Sequence, residues 1–369
     1  MEQICFILGE RDMANGNVAF FMGANTKNGF YSLMDTLHDE RDIERIYMIK
    51  SGPGCGKSAV LRKLGDALEG DGRREDLYCS GDPRSLDGTV LHGIRAALLD
   101  GTAPHVHEPD FPGASGDYLP LPPLKNAREL REEYPALLAL SAAMKAHYAA
   151  AYRQIKAAAL TEESLRRLLL PLYLENKLTR RAAGILTREL PKKKGAAGIL
   201  RQRFLDGITP DGRMFMRKTV EALCPRIILL EDRFGFGAQM LEILRDGALA
   251  RGYEVYACPC PLDPTRLLHL LLPEAGLAFI SEDGTRMPDC TPYRRIRVDA
   301  YAPAECLRTV RGRVRTLQRL RDGLMEDAIA EIAAAHALHD RVEDIYRPHV
   351  DFDAQDGAVA ALAARIRIE

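Results

Sequence analysis

The fold class is decided by the stretch Ile46-Tyr47-Met48-Ile49-Lys50-Ser51-Gly52-Pro53-Gly54-Cys55-Gly56-Lys57-Ser58. This stretch joins an apolar run to the start of a helical pattern. The run Ile46 to Lys50 predicts a buried β-strand, and Lys57 to Leu68 has apolar residues at helical spacing. Between them lies a glycine-rich loop that ends in Gly-Lys-Ser. A strand, such a loop and a helix in this order form the sequence context of a P-loop, a phosphate-binding turn.

Each residue type in this loop suits a triphosphate. Glycines let successive backbone N–H groups turn inward around phosphate oxygens, and the helix N-terminus adds a positive dipole. Lys57 is expected to bridge the β- and γ-phosphates, and the Ser58 hydroxyl is placed to bind Mg²⁺. Ser51 stands where the first glycine is usual, and a small residue costs little at that corner. The predicted nucleotide-binding residues are Ser51, Gly52, Pro53, Gly54, Cys55, Gly56, Lys57, Ser58 and Ala59.

A P-loop normally also needs an acidic residue at the end of a neighbouring strand, which holds the Mg²⁺ through water. Asp100 ends an apolar run and is the first candidate, with the first position of an Asp-Gly turn as the alternative. Asp82 is the second candidate, as a base or as the residue that orients the attacking water, with an Asx turn before Pro83 as the alternative. The predicted catalytic residues are therefore Lys57, Asp100 and Asp82, and the predicted metal ligands are Ser58 and Asp100. The weaker candidates nearby are Asp87, His105, His107 and Glu108.

The chain repeats itself at an offset of about 181 to 183 residues, which indicates a duplication. For example, Phe21-Met22-Gly23-Ala24-Asn25-Thr26 is echoed by Phe204-Leu205-Asp206-Gly207-Ile208-Thr209. We therefore predict an α/β fold of two tandem P-loop NTPase-like units. Each unit is expected to have a mostly parallel sheet flanked by helices, followed by a helical hairpin. The predicted division is residues 1–160 for the first half, 161–203 for a basic connector and 204–369 for the second half.

The second half has a degenerate loop at the equivalent place, Asp232-Arg233-Phe234-Gly235-Phe236-Gly237-Ala238-Gln239. Ala238 replaces the phosphate-binding lysine, Gln239 replaces the serine, and Ser281 replaces the acid at position 100. This half is not expected to hydrolyse nucleotide and is predicted to be a structural or regulatory partner of the first. Arg203 and Arg233 are considered as arginine fingers, with solvated surface arginines as the favoured alternative.

Four motifs occur in a fixed order along the first half: Gly23–Ser32, Ser51–Ser58, Cys79–Gly88 and Asp100–His105. In these motifs the chain resembles an uncharacterised bacterial family of ATPases with two P-loop half-repeats. The resemblance implies that the segments around Asn25 and from Asp100 to His105 belong to the same site as the P-loop. Members of that family keep a recognisable second P-loop, and this chain does not.

Composition excludes several classes of function. The formal net charge is -1, so no overall charge attracts the chain to nucleic acid or to a membrane surface. No signal sequence is predicted, and the longest apolar stretch, Leu267 to Ile280, is too interrupted to span a bilayer. The eight cysteines fit free thiols, and a cytoplasmic protein is expected. The basic segment Lys177 to Arg203 has no aromatic residues to stack bases, which favours a solvated linker over a nucleic-acid site.

The function expected from these features is Mg²⁺-dependent ATP binding with slow hydrolysis at the first loop. Slow turnover is expected because Gly101, and not a glutamate, follows Asp100. ATP is expected over GTP because the chain has no Asn-Lys-x-Asp guanine-reading motif. A nucleotide-binding switch without significant turnover is one alternative. A small-molecule kinase is another, with Asp82 as its base and the loop Gly113 to Pro123 as its lid. The sequence leaves open whether the chain also binds a protein partner.

Overall fold

The computed structural model describes residues 17–102, 108–109, 111–172, 174–195, 197–282 and 291–368. The chain is an α/β protein with two six-stranded mixed sheets, and helices flank both sheets. Among the described helices, none is long and apolar enough to cross a membrane.

The first sheet contains the strand that leads into the glycine-rich loop. The strands of the first half are β1 (Val18–Phe21), β2 (Gly23–Thr26), β3 (Gly29–Ser32), β4 (Arg45–Ile49), β5 (Arg74–Tyr78), β6 (Leu86–Leu91), β7 (Ala96–Asp100) and β8 (Gly116–Leu119). Strands β2 and β3 form a separate hairpin, and the other six form a sheet in the order β1-β5-β6-β7-β4-β8. Strand β4 is parallel to both of its neighbours. The carboxyl end of β7 therefore lies at the same sheet edge as the loop.

The second half repeats this arrangement strand by strand. Its strands are β9 (Ile199–Gln202), β10 (Asp206–Thr209), β11 (Gly212–Phe215), β12 (Arg226–Glu231), β13 (Glu254–Pro259), β14 (Leu267–Leu272), β15 (Leu277–Glu282) and β16 (Arg294–Arg297). Strands β10 and β11 form a hairpin, and the sheet order is β9-β13-β14-β15-β12-β16. The parallel and antiparallel pairings also match those of the first sheet. This agreement is compatible with two tandem units.

Both sheets are mixed, but only one of the six strands in each runs against the others, which agrees with the prediction of mostly parallel sheets. Strand β6 is antiparallel to β5 and to β7, and β14 has the same place and direction in the second sheet. The stretch Leu86–Leu91 has Asp and Gly near its start, a composition typical of a turn. Gly88 is needed there because a Cβ atom would lie 2.8 Å from the carbonyl oxygen of Leu98 on β7. A close approach of two backbones thus explains a glycine inside a strand.

The two long helices of the chain pair with each other. The helices are α1 (Lys57–Leu68), α2 (Ala127–Glu132), α3 (Tyr134–Leu169), α4 (Glu175–Glu189), α5 (Arg217–Leu223), α6 (Gly237–Leu249), α7 (Ala304–Tyr346) and α8 (Phe352–Ile368). Helix α3 has 36 residues and α7 has 43. They run antiparallel, since His147 pairs with Glu331 while Leu165 packs near Val314. The prediction of a helical hairpin within each half is therefore wrong.

Each half sends its last helix to the sheet of the other half. Helix α4 follows the first half but packs on α6, where Leu178 and Ile185 share a core cluster with Leu241. Helix α8 follows the second half but packs on α1, where Leu362 and Ile366 join the core of the first half. The periodicity of an amphipathic helix identifies its apolar face but not the surface that covers this face. This exchange could therefore not be predicted from the helical pattern.

A buried ion network joins the two halves. Arg203, which is fully buried, donates hydrogen bonds of 2.7 Å to both Glu40 and Glu75. Arg201 is also buried and binds Glu254 at 2.6 Å as well as Glu40 and Asp42. Burial alone would lower the pKa of Arg203, but the two carboxylates raise it above its usual value. The segment 161–203, predicted as a basic connector, holds the end of α3, all of α4 and strand β9.

Candidate functional site

The glycine-rich loop connects β4 to α1 and turns through two left-handed glycines. Gly54 has a φ of 64° and Gly56 a φ of 72°, a region that L-residues with a side chain rarely adopt. Helix α1 begins at Lys57 directly after Gly56. The backbone N–H groups of its first turn have no partner within the helix, as at any helix N-terminus. A strand, a turn with two left-handed glycines and a helix therefore follow one another here in the order that the sequence predicts.

Lys57 and Asp100 meet at this loop. The Lys57 ammonium donates to the carbonyl of Gly52 at 2.8 Å and lies 3.6 Å from the Asp100 carboxylate. Asp100 is the last residue of β7, and Ile49 at the end of β4 is its register partner. Thr102 fixes the geometry, because its N–H donates to Asp100 at 2.8 Å and its hydroxyl donates to the carbonyl of Ser51 at 3.1 Å. A cation and an anion therefore lie side by side at the predicted phosphate site.

Ser58 and Asp82 are held by the segment that precedes β6. The hydroxyl of Ser58 accepts a hydrogen bond of 2.9 Å from the N–H of Leu86. Asp82 accepts hydrogen bonds from the N–H of Arg84, at 3.2 Å, and from the hydroxyl of Ser85. These are the contacts of an Asx turn. Asp82 is therefore engaged in the turn, which was the alternative to a catalytic role.

Of the weaker candidates, the structure describes Asp87 and Glu108. Asp87 is buried on β6 beside Cys79, and burial together with the charge of Asp87 raises the pKa of this thiol. Glu108 is exposed and binds Lys50 and Tyr118. His105 and His107 lie outside the described residues.

Helices α7 and α8 of the second half cover the loop. A Cβ atom on Gly52 would lie 2.7 Å from the ring of Tyr346, and one on Gly54 would lie 2.9 Å from the Cα of Glu343. The amide of Gln355 donates a hydrogen bond of 3.0 Å to the carbonyl of Cys55. Sequence reasoning missed these residues, because no pattern in the chain shows that the end of the second half packs on the first.

The degenerate loop of the second half is closed by its own aspartate. The Asp232 carboxylate accepts hydrogen bonds from the N–H groups of Phe236 at 2.8 Å and Gly237 at 2.7 Å, at the N-terminus of α6. It therefore occupies the position that favours an anion at a helix N-terminus. Burial raises the pKa of Asp232 to about 7, although the two N–H groups and Arg266 act in the opposite direction. Ala238 is buried in the first turn and offers no charge, and the cation at this loop is Arg266, whose guanidinium donates to the carbonyl of Gly235.

Neither arginine considered as a finger is placed to act as one. Arg203 is buried in the ion network between the halves, so it is not the solvated surface residue that was favoured either. It was misjudged because buried arginines are rare and depend on partners that the sequence does not reveal. Arg233 is exposed and pairs at 2.6 Å with Asp299, a residue of its own half.

Comparison of the chain with protein-family models, curated proteins and solved structures found no match in any of the three. The resemblance to a family of two-loop ATPases therefore stays a prediction.

Proposed function

We propose that the chain binds Mg-ATP at the Ser51–Ser58 loop and hydrolyses it slowly. The observation that carries this proposal is the meeting of Lys57 and Asp100 at a loop with two left-handed glycines. The ammonium of Lys57 would turn from the loop carbonyls to the β- and γ-phosphates. Ser58 and Asp100 would hold the Mg²⁺, and both supply the oxygen ligands that this ion prefers. The degenerate half would bind no nucleotide, because Asp232 already fills its loop.

Binding and turnover of Mg-ATP by the Lys57→Ala variant test this proposal. A hydrogen bond from a charged group contributes about 1.5–3 kcal/mol, so the variant is expected to bind Mg-ATP about 10- to 100-fold more weakly. Calorimetry gives the affinity, and phosphate release gives the turnover. Lys63→Ala is the matched control, since Lys63 lies on the same helix and forms an exposed pair with Asp356. Equal affinity of wild type and Lys57→Ala would refute the proposal.

A nucleotide-binding switch is the second candidate, and the contacts of the loop glycines favour it. Gly52 and Gly54 touch α7 directly, so a ligand in the loop would act on a helix of the other half. In this case Mg-ATP would bind with negligible phosphate release and would change hydrogen exchange around residues 343–355. Unchanged exchange there, together with steady phosphate release, would favour the ATPase instead.

A further inference from the structure

Four potential metal ligands form a row on one face of α7. His336, His339, Asp340 and Glu343 occupy positions i, i+3, i+4 and i+7 of a continuous helix, so their side chains project from the same side. One ligand atom from each of His336, His339 and Asp340 lies within 4.8 Å of the other two. The carboxylate of Glu343 continues the row at 3.9 Å from the Nδ1 of His339.

This row faces the first half of the chain. The guanidinium of Arg84, in the turn before β6, lies 2.8 Å from the Nε2 of His336. At the other end of the row, the backbone of Glu343 packs on Gly54 of the glycine-rich loop. The side chain of His336 is only 12% exposed. The row is therefore partly enclosed between α7 and two loops of the first half.

The corresponding contact in the other half contains no histidine among the described residues. There, the end of α3 lies against the degenerate loop, where its Leu165 and Leu169 pack with Phe234 and its Glu162 pairs with Arg266. Arg266 also donates a hydrogen bond to the carbonyl of Gly235 in this loop. The two halves share one architecture, so leucines and an ion pair are sufficient for packing at this place, and histidines are not required for it.

We propose that His336, His339 and Asp340 bind a divalent transition metal such as Zn²⁺, with Glu343 as the fourth ligand. Imidazole nitrogen together with carboxylate oxygen suits Zn²⁺, Co²⁺ or Ni²⁺, whereas Mg²⁺ prefers oxygen ligands alone. This site is separate from the proposed Mg-ATP site and goes beyond it. A metal ion bound here would connect the long helix of the second half to the loops of the first.

Binding of Zn²⁺ at this site requires small movements of the ligand side chains. Zn–N bonds of about 2.0–2.1 Å in a tetrahedral site place the ligand atoms about 3.3 Å apart. The Nε2 of His336 and the carboxylate of Asp340 are 3.9 Å apart, so this pair must close by about 0.6 Å. Arg84 must also turn away from His336. Its side chain is 60% exposed, so it has solvent to turn into.

The test is a Zn²⁺ titration of the full chain, first stripped with a chelator, in competition with a chromophoric chelator and without nucleotide. Wild type is expected to bind one Zn²⁺. His339→Ala and Asp340→Ala, both partly exposed positions, are expected to weaken binding at least about 10-fold, as even the loss of a supporting group does. Arg84→Ala is expected to strengthen it, because a competing cation is removed. His147→Ala is the matched control, since His147 also pairs with a carboxylate on a helix surface.

Two results would overturn the metal site. One is the absence of Zn²⁺ binding by folded wild type, with folding checked by circular dichroism. The other is an unchanged affinity in both His339→Ala and Asp340→Ala, which would place the metal elsewhere. Lys57→Ala separates this proposal from the nucleotide site, because it is expected to lose Mg-ATP affinity while keeping Zn²⁺ affinity. Co²⁺ gives an independent readout, since four-coordinate Co²⁺ absorbs strongly in the visible range and this band is expected to disappear in His339→Ala.

Discussion

Asp232→Asn is expected to change how the stability of the chain depends on pH. The carboxylate of Asp232 is buried at the N-terminus of α6, and burial raises its pKa from 3.8 to about 7. A raised pKa means that the folded state favours the protonated form. The contribution of Asp232 to the free energy of unfolding is therefore fully present below pH 3.8 and is lost as the pH rises through about 7.

The expected change in the free energy of unfolding follows from the size of the pKa shift of Asp232. One pKa unit corresponds to about 1.4 kcal/mol, so a shift of about 3 units corresponds to about 4 kcal/mol. Between pH 5 and pH 8, the free energy of unfolding of wild type is expected to fall by about 3 kcal/mol relative to that of Asp232→Asn. The amide of Asn cannot accept a hydrogen bond at its nitrogen, so one of the bonds from Phe236 or Gly237 is lost at every pH. This cost is the same at every pH, so it does not alter how steeply the free energy of unfolding changes with pH.

Urea unfolding of wild type and Asp232→Asn at several pH values, followed by circular dichroism, measures this difference. The other titrating groups are common to both proteins, so their contributions to the free energy of unfolding cancel in the comparison. Asp246→Asn, at an exposed position on the same helix, is the control for the substitution itself. If wild type instead gains stability over the variant as the pH rises, the two N–H groups and the helix dipole outweigh burial. That result would refute the reasoning.

Two further substitutions test the contacts between the halves. Arg203→Met leaves the buried Glu40 and Glu75 without this partner and is expected to cost about 3–5 kcal/mol in urea unfolding. Arg167→Met, at an exposed pair with Glu163 on α3, is the control and is expected to cost at most about 1 kcal/mol. Equal losses of unfolding free energy in the two arginine variants would contradict the burial of the ion network between the halves. Gly54→Ala places a Cβ atom against the backbone of Glu343. It is expected to lower the free energy of unfolding by about 1–3 kcal/mol more than Gly195→Ala, because Gly195 has a similar φ of 71° but open space around it. Similar stabilities of the two variants would show that α7 does not press on the loop.

Local patterns predicted the local structure around the loop. The helix predicted from Lys57 to Leu68 is α1 itself, and the strand predicted from Ile46 to Lys50 is β4 displaced by one residue. These predictions were possible because a strand, a glycine turn and an amphipathic helix each depend on neighbouring residues. The position of Asp100 at the end of β7 was also predictable, since the carboxyl ends of parallel strands lie at one edge of a sheet.

Features that depend on distant residues could not be predicted in this way. The burial of Arg203 depends on Glu40 and Glu75, which lie more than 100 residues earlier in the chain. Strand β6 was missed because its start has the composition of a turn, and only its neighbours in the sheet make it a strand. The contacts of Glu343 with the loop depend on the exchange of helices, which no short-range pattern encodes.

The exchange of helices gives the degenerate half a structural part in covering the intact loop. Helix α7 packs near Phe234 of the degenerate loop through Val314, and it contacts Gly54 of the intact loop through Glu343. These two points are 29 residues apart on one continuous helix, a separation of about 44 Å at 1.5 Å per residue. The degenerate half thus anchors one end of a helix whose other end covers the intact loop. An anchor of this kind needs a well-packed loop, and the hydrogen bonds that Asp232 accepts from the N–H groups of Phe236 and Gly237 at the start of α6 contribute to its packing.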